Sequence, residues 1–302
     1  MAVPLPLAVF LAALLGSAPD FALAANPLSV VTSNTVLADL VANVGGDKVR
    51  VRSLAPAGTD PHTFQPTPDS IRTLSQARVA FFNGSGLEEW WDKTIHSVKK
   101  PDVPVIELSK GLATIRMPGH SPDGQSHAEG QDPHVWLDPN LVKAYVDKIR
   151  DALSQADGAN SGFYADRAKT YQVKLDELDA WIRTEVEKIP IARRKIVTFH
   201  DAFQYFAHRY GLAVKGFVVV SPGKEPSAKA LAELTRRIKE ERIPAVFAEA
   251  DFNAKLLEVL AKDAGVKVVT NLYDGSLSSG PPADTYINML RHNVTQTVNA
   301  LR

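Results

Sequence analysis

The sequence predicts an α/β fold with two lobes, each a parallel sheet covered by helices, joined by one long rigid helix. Two observations predict it. Short apolar runs alternate with helical periods in both halves of the chain, a pattern typical of parallel sheets with helices outside. Between the halves, residues 160–188 contain no proline, and apolar side chains recur three to four positions apart, which marks one helix face.

The first lobe is predicted from four short apolar runs with helical segments after them. The strands are expected at 28–33, 49–54, 79–83 and 103–108, and the helices at 35–45, 69–76 and 87–98. Residues 117–131 break this pattern, because glycine, proline, serine and aspartate dominate there. Such a composition predicts a mobile surface loop, which contains His120 and His127.

The linking helix and the second lobe follow in the same way. Roughly 29 residues at about 1.5 Å each give a rod of about 43 Å, long enough to cross a whole domain. Strands are then predicted at 195–199, 214–220, 245–248 and 266–270, with helices at 202–210, 227–242, 253–264 and 286–301. The predicted division is an N-terminal lobe at 25–159, the linking helix at 160–189 and a C-terminal lobe at 190–302.

Composition limits the possible partners and the compartment. The 302 residues include 34 basic and 34 acidic side chains and no cysteine, so charge gives no reason to expect nucleic acid or an acidic membrane as partner. Residues 1–24 contain an apolar run and end in Ala22-Leu23-Ala24, which indicates a cleavable signal peptide. Without cysteine the chain has no site for a lipid-modified cysteine. We therefore expect an unanchored protein in a bacterial periplasm.

The tripeptide Asp-Pro-His occurs twice, ending at His62 and at His134. Proline fixes its own φ and pushes the preceding aspartate into an extended shape, so each histidine is presented from a stiff turn. A lone histidine after a strand is ordinarily a hydrogen-bonded loop residue, but the repetition favours a ligand role. His200, Glu249 and Asp274 also follow predicted strands, where open α/β sheets bind their ligands.

Three imidazoles and one carboxylate would form a tetrahedral site with three nitrogens and one oxygen. This ligand set is typical of zinc, although imidazole also suits copper, iron and nickel. The separations along the chain are 72, 66 and 74 residues, so no local zinc-finger pattern adds support. Glu249 could be a fifth polar group beside the metal or an acceptor for a ligand histidine.

Several segments together resemble a known family. They are "GTDPHTFQPTPDSI", "DPHVWLDP", "FHDAFQYFAHRYGL", "EPSAKALAELTRRIKEERIPAVFAEADFN" and "LYDGSLS". In this order they resemble the zinc and manganese class of solute-binding proteins of ABC importers, which includes ZnuA and TroA. The resemblance covers nearly all of the chain after the signal. It implies two lobes bridged by one rigid helix, a metal in the cleft between them, and the ligands His62, His134, His200 and Asp274.

The third ligand position separates metals within that class. Manganese-type relatives tend to have glutamate where this chain has His200, so the resemblance implies Zn²⁺ as the transported ligand and is nearest the AztC type. It further implies delivery to an ABC transporter permease, a periplasmic zinc chaperone as a second partner, a monomer and no enzymatic activity. The loop at 117–131 would collect metal or be a solvated linker.

The same residues are also compatible with two other functions. A secreted zinc hydrolase could use His62, His134 and His200 as ligands with Glu249 as general base. Against it, the sequence contains no His-Glu-x-x-His, and Asp274 would close the position that catalytic zinc keeps for water. An adhesin-like surface protein of the same fold is disfavoured by the missing cysteine.

Overall fold

The computed structural model describes residues 26–98, 103–115, 131–219 and 221–302. The predicted signal peptide at 1–24 lies outside the described residues. The same holds for nearly all of the predicted loop at 117–131, including His120 and His127.

The first sheet has four parallel strands in the order β2-β1-β3-β4. The strands are β1 (Leu28–Thr32), β2 (Val49–Ser53), β3 (Val79–Phe82) and β4 (Val105–Glu107). The helices of this part are α1 (Thr35–Gly45), α2 (Pro68–Ser75), α3 (Trp91–Ser97) and α4 (Pro139–Ala156). The chain goes from β1 to β2 on one side and then crosses to β3 on the other side of β1. The strand order therefore switches between β1 and β3, a position where α/β sheets bind ligands.

Helix α3 begins four residues later than the sequence suggests. The predicted start was residue 87, and the observed start is Trp91. The reason is Glu88, whose buried carboxylate accepts the backbone N–H groups of Asn83 and Gly84 and the hydroxyl of Ser33. These bonds hold the chain after β3 in a turn, so the helix starts only beyond it.

The long helix α5 (Ser161–Glu187) has 27 residues, or about 40 Å at 1.5 Å per residue. Its first half touches the first lobe, where Arg167 Nε donates to the carbonyl of Asn43 in α1 at 2.9 Å. Further along, Asp179 accepts bonds from Arg209 and from the hydroxyl of Tyr210, each at 2.9 Å. Those two residues lie at the end of the next helix, in the second lobe, so α5 connects the lobes.

The second sheet repeats the strand order of the first. Its parallel strands, in the order β6-β5-β7-β8, are β5 (Lys195–His200), β6 (Ala213–Val219), β7 (Ala245–Glu249) and β8 (Lys267–Leu272). Its helices are α6 (Gln204–Tyr210), α7 (Ala228–Glu240), α8 (Lys255–Ala264) and α9 (Tyr286–Leu301). Here the strand order switches between β5 and β7, and β5 is the strand that ends at His200.

One continuous apolar core joins the two lobes. It includes Val30 and Leu37 of the first lobe, Leu175 of α5, and Phe247 and Leu290 of the second. Tyr286 at the start of α9 adds a buried bond, because its hydroxyl donates to the carbonyl of Trp136 at 2.7 Å. The predicted class, two α/β lobes with parallel sheets and a long connecting helix, is therefore confirmed. The lobe boundaries at 25–159, 160–189 and 190–302 stay a prediction.

No helix in the described part of the chain combines the length and the apolar character needed to cross a membrane.

Candidate metal centre

Three imidazoles from distant parts of the chain meet at one point. His62 Nε2 lies 3.2 Å from His134 Nε2, and His200 Nε2 lies 3.3 Å from the same atom. His62 comes from the loop after β2, His134 from the turn before α4, and His200 from the end of β5. His134 and His200 are buried, whereas His62 is only partly buried. Their ring nitrogens lie within 4.8 Å of one another, close enough to hold a single metal ion.

The spacing of these nitrogens matches the ligand spacing of a metal site. Zinc–nitrogen bonds are about 2.0–2.1 Å long, so two ligands of a tetrahedral zinc lie about 3.3–3.4 Å apart. The observed nitrogen–nitrogen distances of 3.2 and 3.3 Å agree with that edge. Octahedral neighbours at a bond length of about 2.3 Å, in the range of larger cations, would have nearly the same spacing. The distances thus indicate a metal, and the ligand chemistry decides which one.

Asp274 lies beside the group of three nitrogens rather than within it. Its Oδ2 is 3.2 Å from His200 Nε2, on the ring edge that faces the other histidines. Gly275 lets this loop approach the first Asp-Pro-His turn, because a Cβ at that position would lie 2.7 Å from Cδ of Pro61. The hydroxyl of Ser276 then accepts the backbone N–H of Gly58 at 2.9 Å. The two loops are thus in direct contact, which places Asp274 near the histidines.

Both Asp-Pro-His motifs form the same turn. Asp60 Oδ1 accepts the backbone N–H of His62, and Asp132 Oδ1 accepts the backbone N–H of His134, in each case at 2.9 Å. A short side chain that bonds to the backbone two residues on is the usual way in which aspartate fixes a turn. The aspartate therefore works together with the proline, and both hold the histidine backbone in place.

The second motif also fixes the histidine ring. Asp132 Oδ1 lies 2.8 Å from His134 Nδ1, and both side chains are buried. We assign the proton to Nδ1, since the carboxylate can only accept there, and this leaves the lone pair of Nε2 facing the other imidazoles. The indole of Trp136 packs against the His134 ring at 5.4 Å between centroids. Its Nε1 donates to the carbonyl of Asp274, so Trp136 connects two of the predicted ligands.

His200 lies between two carboxylates. Asp274 faces its Nε2, and Glu249 Oε1 lies 3.4 Å from its Nδ1 on the opposite edge of the ring. Burial opposes a charge on His200, but Asp274 and Glu249 outweigh it and raise the pKa of this imidazole to about 9. For Asp274 burial acts in the other direction and raises the pKa of the carboxyl group to about 7. Without metal, this pair therefore holds a proton at neutral pH.

The pKa values of the other two imidazoles are lowered rather than raised. Burial, and then the nearby His134 and His200, lower the pKa of His62 well below its usual value. Burial and His200 have the same effect on His134. Both rings are therefore neutral at neutral pH, which is the form that binds a metal.

The position of Glu249 argues against the hydrolase alternative. A general base must reach water on the metal, which would be on the Nε2 side of His200. Glu249 instead faces Nδ1, and Asp274 lies on the Nε2 side. The hydrolase alternative is thus unsupported. Two roles were considered for Glu249, and the geometry favours the one in which it accepts from the second nitrogen of His200.

Asp132 and Tyr205 are part of the site, but the sequence did not single them out. The hydroxyl of Tyr205, from α6 in the second lobe, donates to the carbonyl of Asp132 and accepts the N–H of Ile115, both at 3.0 Å. Asp132 had a visible signal, since it stands in the repeated motif. Tyr205 had none, because its contact with Asp132 depends on how the lobes pack.

Known proteins resemble this chain over nearly its full length. The family model that matches is ZnuA, zinc-uptake complex component A, periplasmic, over residues 30–300. The manganese-binding lipoprotein MntA of Halalkalibacterium halodurans is 32% identical, covering 91% of this chain and 88% of its own. Among solved structures, the periplasmic zinc-binding protein TroA from Treponema pallidum has a TM-score of 0.82 and 29% identity, covering 91% of this chain and 99% of its own.

A second solved structure contains a different metal. The Mn-bound periplasmic metal-binding protein from Candidatus Liberibacter asiaticus has a TM-score of 0.79 and 26% identity, and covers 91% of this chain and 100% of its own. Similar proteins are thus described with zinc and with manganese. Membership of this group establishes a transported divalent metal, and the choice of metal depends on the site of each protein.

The expectation of an unanchored protein is contradicted. MntA is named a lipoprotein, and so are streptococcal relatives of this chain. The expectation rested on the absence of cysteine together with a segment, 1–24, that lies outside the described residues. The names of these relatives overturn that expectation.

Fold, site and comparisons agree with one another. Two parallel-sheet lobes, a long connecting helix and three converging imidazoles occur in a chain that matches the family model from residue 30 to residue 300. Relatives include metal ABC transporter substrate-binding proteins, which work with a membrane permease and an ATPase. The chain therefore belongs to the ZnuA family, the non-enzymatic metal-binding components of ABC importers.

Proposed function

We propose that this protein captures a zinc ion with His62, His134, His200 and Asp274 and delivers it to the permease of an ABC importer. The observation that carries the proposal is the convergence of three Nε2 atoms at 3.2 and 3.3 Å, with the Asp274 carboxylate 3.2 Å from one of them. Three neutral nitrogens and one oxygen are a common ligand set for four-coordinate zinc.

Ligand chemistry favours zinc over manganese. Affinity of a given nitrogen and oxygen site rises from Mn²⁺ towards Cu²⁺ and stays high for Zn²⁺, and imidazole adds to this preference, whereas carboxylates and water suit manganese. His134, His200 and Asp274 are only 1%, 1% and 3% exposed. Such burial leaves little space for the water ligands that a six-coordinate manganese would keep. TroA, which is named for zinc, supports the proposal, and the manganese-binding relatives make the test necessary.

Further expectations follow from the same reading. The assignment to the AztC type, a periplasmic zinc chaperone as donor, and a monomeric state stay predictions. Each rests on the resemblance in sequence rather than on a contact among the described residues.

Metal analysis and a competition titration together test the proposal. The protein is purified without chelator and its metal content is measured, and then zinc and manganese compete for the metal-free chain in the presence of a chelating indicator. We expect one zinc per chain and manganese binding at least about a hundredfold weaker. Equal affinities for the two metals would contradict zinc selectivity, and no tight divalent site would contradict the function itself.

A further inference from the structure

We propose that Glu249 is a positioning and specificity-determining residue of the metal site. Its carboxylate orients the His200 ring and supplies the buried negative charge that makes the site prefer a divalent to a monovalent cation. The inference rests on the proposed function, since it concerns the metal that His200 would bind.

Glu249 is a buried carboxylate without a hydrogen-bond partner. It ends β7, its residue is 1% exposed, and neither carboxylate oxygen has a hydrogen-bond partner within the described part of the chain. The contact with His200 Nδ1, at 3.4 Å, is an ion pair that is long for a hydrogen bond. A buried carboxylate held by so long a contact needs an explanation, because burying a charge is costly unless it is well paired.

The backbone holds Glu249 in this place. Strands β5 and β7 are neighbours, with Thr198 paired to Phe247, so the strand ends at His200 and Glu249 lie side by side. The N–H of Ala250 donates to the carbonyl of Leu272 at 2.7 Å, which connects the end of β7 to the strand before Asp274. The Phe252 ring packs edge-on against His200 at 5.4 Å between centroids. Glu249 is therefore fixed behind the imidazole, partly against apolar surface.

The contact between Glu249 and His200 would orient the imidazole ring once a metal is bound. A metal on Nε2 requires the ring proton to be on Nδ1, and that N–H then points towards Glu249. His134 already shows this arrangement, with Asp132 at 2.8 Å from its Nδ1. Carboxylates that accept from the second nitrogen of a ligand histidine orient the ring and increase its basicity. Glu249 would do for His200 what Asp132 does for His134.

The charge of Glu249 adds the preference for divalent ions. The Glu249 carboxylate attracts any cation bound at His200, but by Coulomb's law its attraction for a divalent ion is about twice that for a monovalent ion in the same place. Asp60, Asp132 and Asp251 also lie near the cluster. They are unchanged in every variant compared, so the comparison isolates the charge of Glu249.

The test uses Zn²⁺ and Ag⁺ on the metal-free wild type and on Glu249→Gln, in chloride-free buffer. Glutamine keeps the shape and an acceptor oxygen but removes the charge. We expect zinc affinity to fall about 10- to 100-fold, the range seen when partners of ligand histidines are replaced, and Ag⁺ affinity to fall only about 3- to 10-fold, half as much on a logarithmic scale. The matched control is Glu258→Gln on the exposed side of α8, which should change neither affinity.

A second variant separates orientation from charge and guards against a folding defect. Glu249→Met fills similar space without charge or acceptor, so it should weaken zinc further than Glu249→Gln and alter the visible absorption of the Co²⁺-loaded protein. Because Glu249 pairs with His200 in the metal-free protein, both variants should be less resistant to urea than the wild type, and urea titrations check that each is folded under the conditions of the zinc assay.

Three results would overturn the inference. An equal loss of Zn²⁺ and Ag⁺ affinity in Glu249→Gln would indicate a merely structural role. Unchanged zinc affinity in that variant would remove Glu249 from the site while leaving the zinc function intact. A wild-type protein that binds no zinc would instead contradict the proposed function, and the inference with it.

Discussion

Asp132 holds His134 twice with one oxygen atom. Its Oδ1 accepts the backbone N–H of His134 at 2.9 Å and faces the ring Nδ1 at 2.8 Å. In the other Asp-Pro-His motif, Asp60 accepts the backbone N–H of His62 and uses its second oxygen for the hydroxyl of Thr63. The same tripeptide thus fixes a backbone in both places but a ring in only one, and this difference can be tested.

The first prediction compares Asp132→Asn with Asp60→Asn. The Asp132 variant removes the charged acceptor behind a ligand ring, so zinc affinity should fall about 10- to 100-fold. The Asp60 variant weakens a turn and removes a charge near His200, but it takes no acceptor from a ligand ring. Its loss should therefore be smaller, about fivefold, the equivalent of about 1 kcal/mol. Both are measured by competition with a zinc chelator. Equal losses in the two variants would mean that the ring contact contributes nothing.

The second prediction concerns metal choice at His200. His200→Glu replaces an imidazole by a carboxylate, which suits manganese better than zinc. The ratio of zinc to manganese affinity should therefore fall, by about tenfold or more. Parallel titrations of the variant and the wild type with both metals provide the measurement, and His208→Glu on α6, away from the three-histidine cluster, is the control. A ratio that does not change would show that His200 is not the selective ligand.

The third prediction is the pH dependence of zinc binding. Without metal, the pKa of His200 is raised to about 9, so below that pH zinc must displace the proton that His200 shares with Asp274. Affinity should rise about tenfold per pH unit from pH 7 to about 9 and then level off. Below about pH 7 a second proton on Asp274, whose pKa is raised to about 7, should steepen the slope.

Calorimetry in buffers of different ionisation enthalpy counts the protons directly. About one proton per zinc should be released at pH 8. The lowered pKa values of His62 and His134 mean that these rings contribute no proton at that pH. Proton release near zero throughout pH 5–9 would contradict a site built from these imidazoles.

The fourth prediction concerns the segment at 119–130, which lies outside the described residues. Its deletion should leave zinc affinity within about threefold of the wild type, because all four proposed ligands remain. The ends of the segment are closed by the bond from the N–H of Asp132 to the carbonyl of Ile115 at 2.9 Å and by Tyr205, and both contacts survive the deletion. A large loss of affinity, measured by the same competition assay, would place His120 or His127 in the primary site.

Periodicity and strand ends were enough to predict the fold and to nominate the ligands. Each predicted strand lies within a few residues of an observed one, since buried parallel strands form compact apolar runs. His200 could be nominated because polar groups at the carboxyl ends of strands collect at one edge of the sheet. His62 and His134 were indicated by a repeated tripeptide whose geometry is local.

Contacts that depend on packing could not be predicted. Tyr205 reaches Asp132 across 73 positions, and Trp136 reaches the carbonyl of Asp274 across 138. Neither pair has a local pattern, because the approach depends on how the lobes pack around α5. The start of α3 was missed for a similar reason, since the Glu88 carboxylate bonds to the turn after β3 and no periodicity reveals that.

X-ray absorption at the zinc edge of the zinc-loaded protein, repeated on His200→Ala, tests the central claim most directly. We expect a four-coordinate zinc with three imidazoles and one oxygen at about 2.0–2.1 Å in the wild type. One imidazole signal should be lost in the variant. A zinc ion with mainly oxygen ligands, or an imidazole count unaffected by His200→Ala, would contradict a site formed by His62, His134, His200 and Asp274.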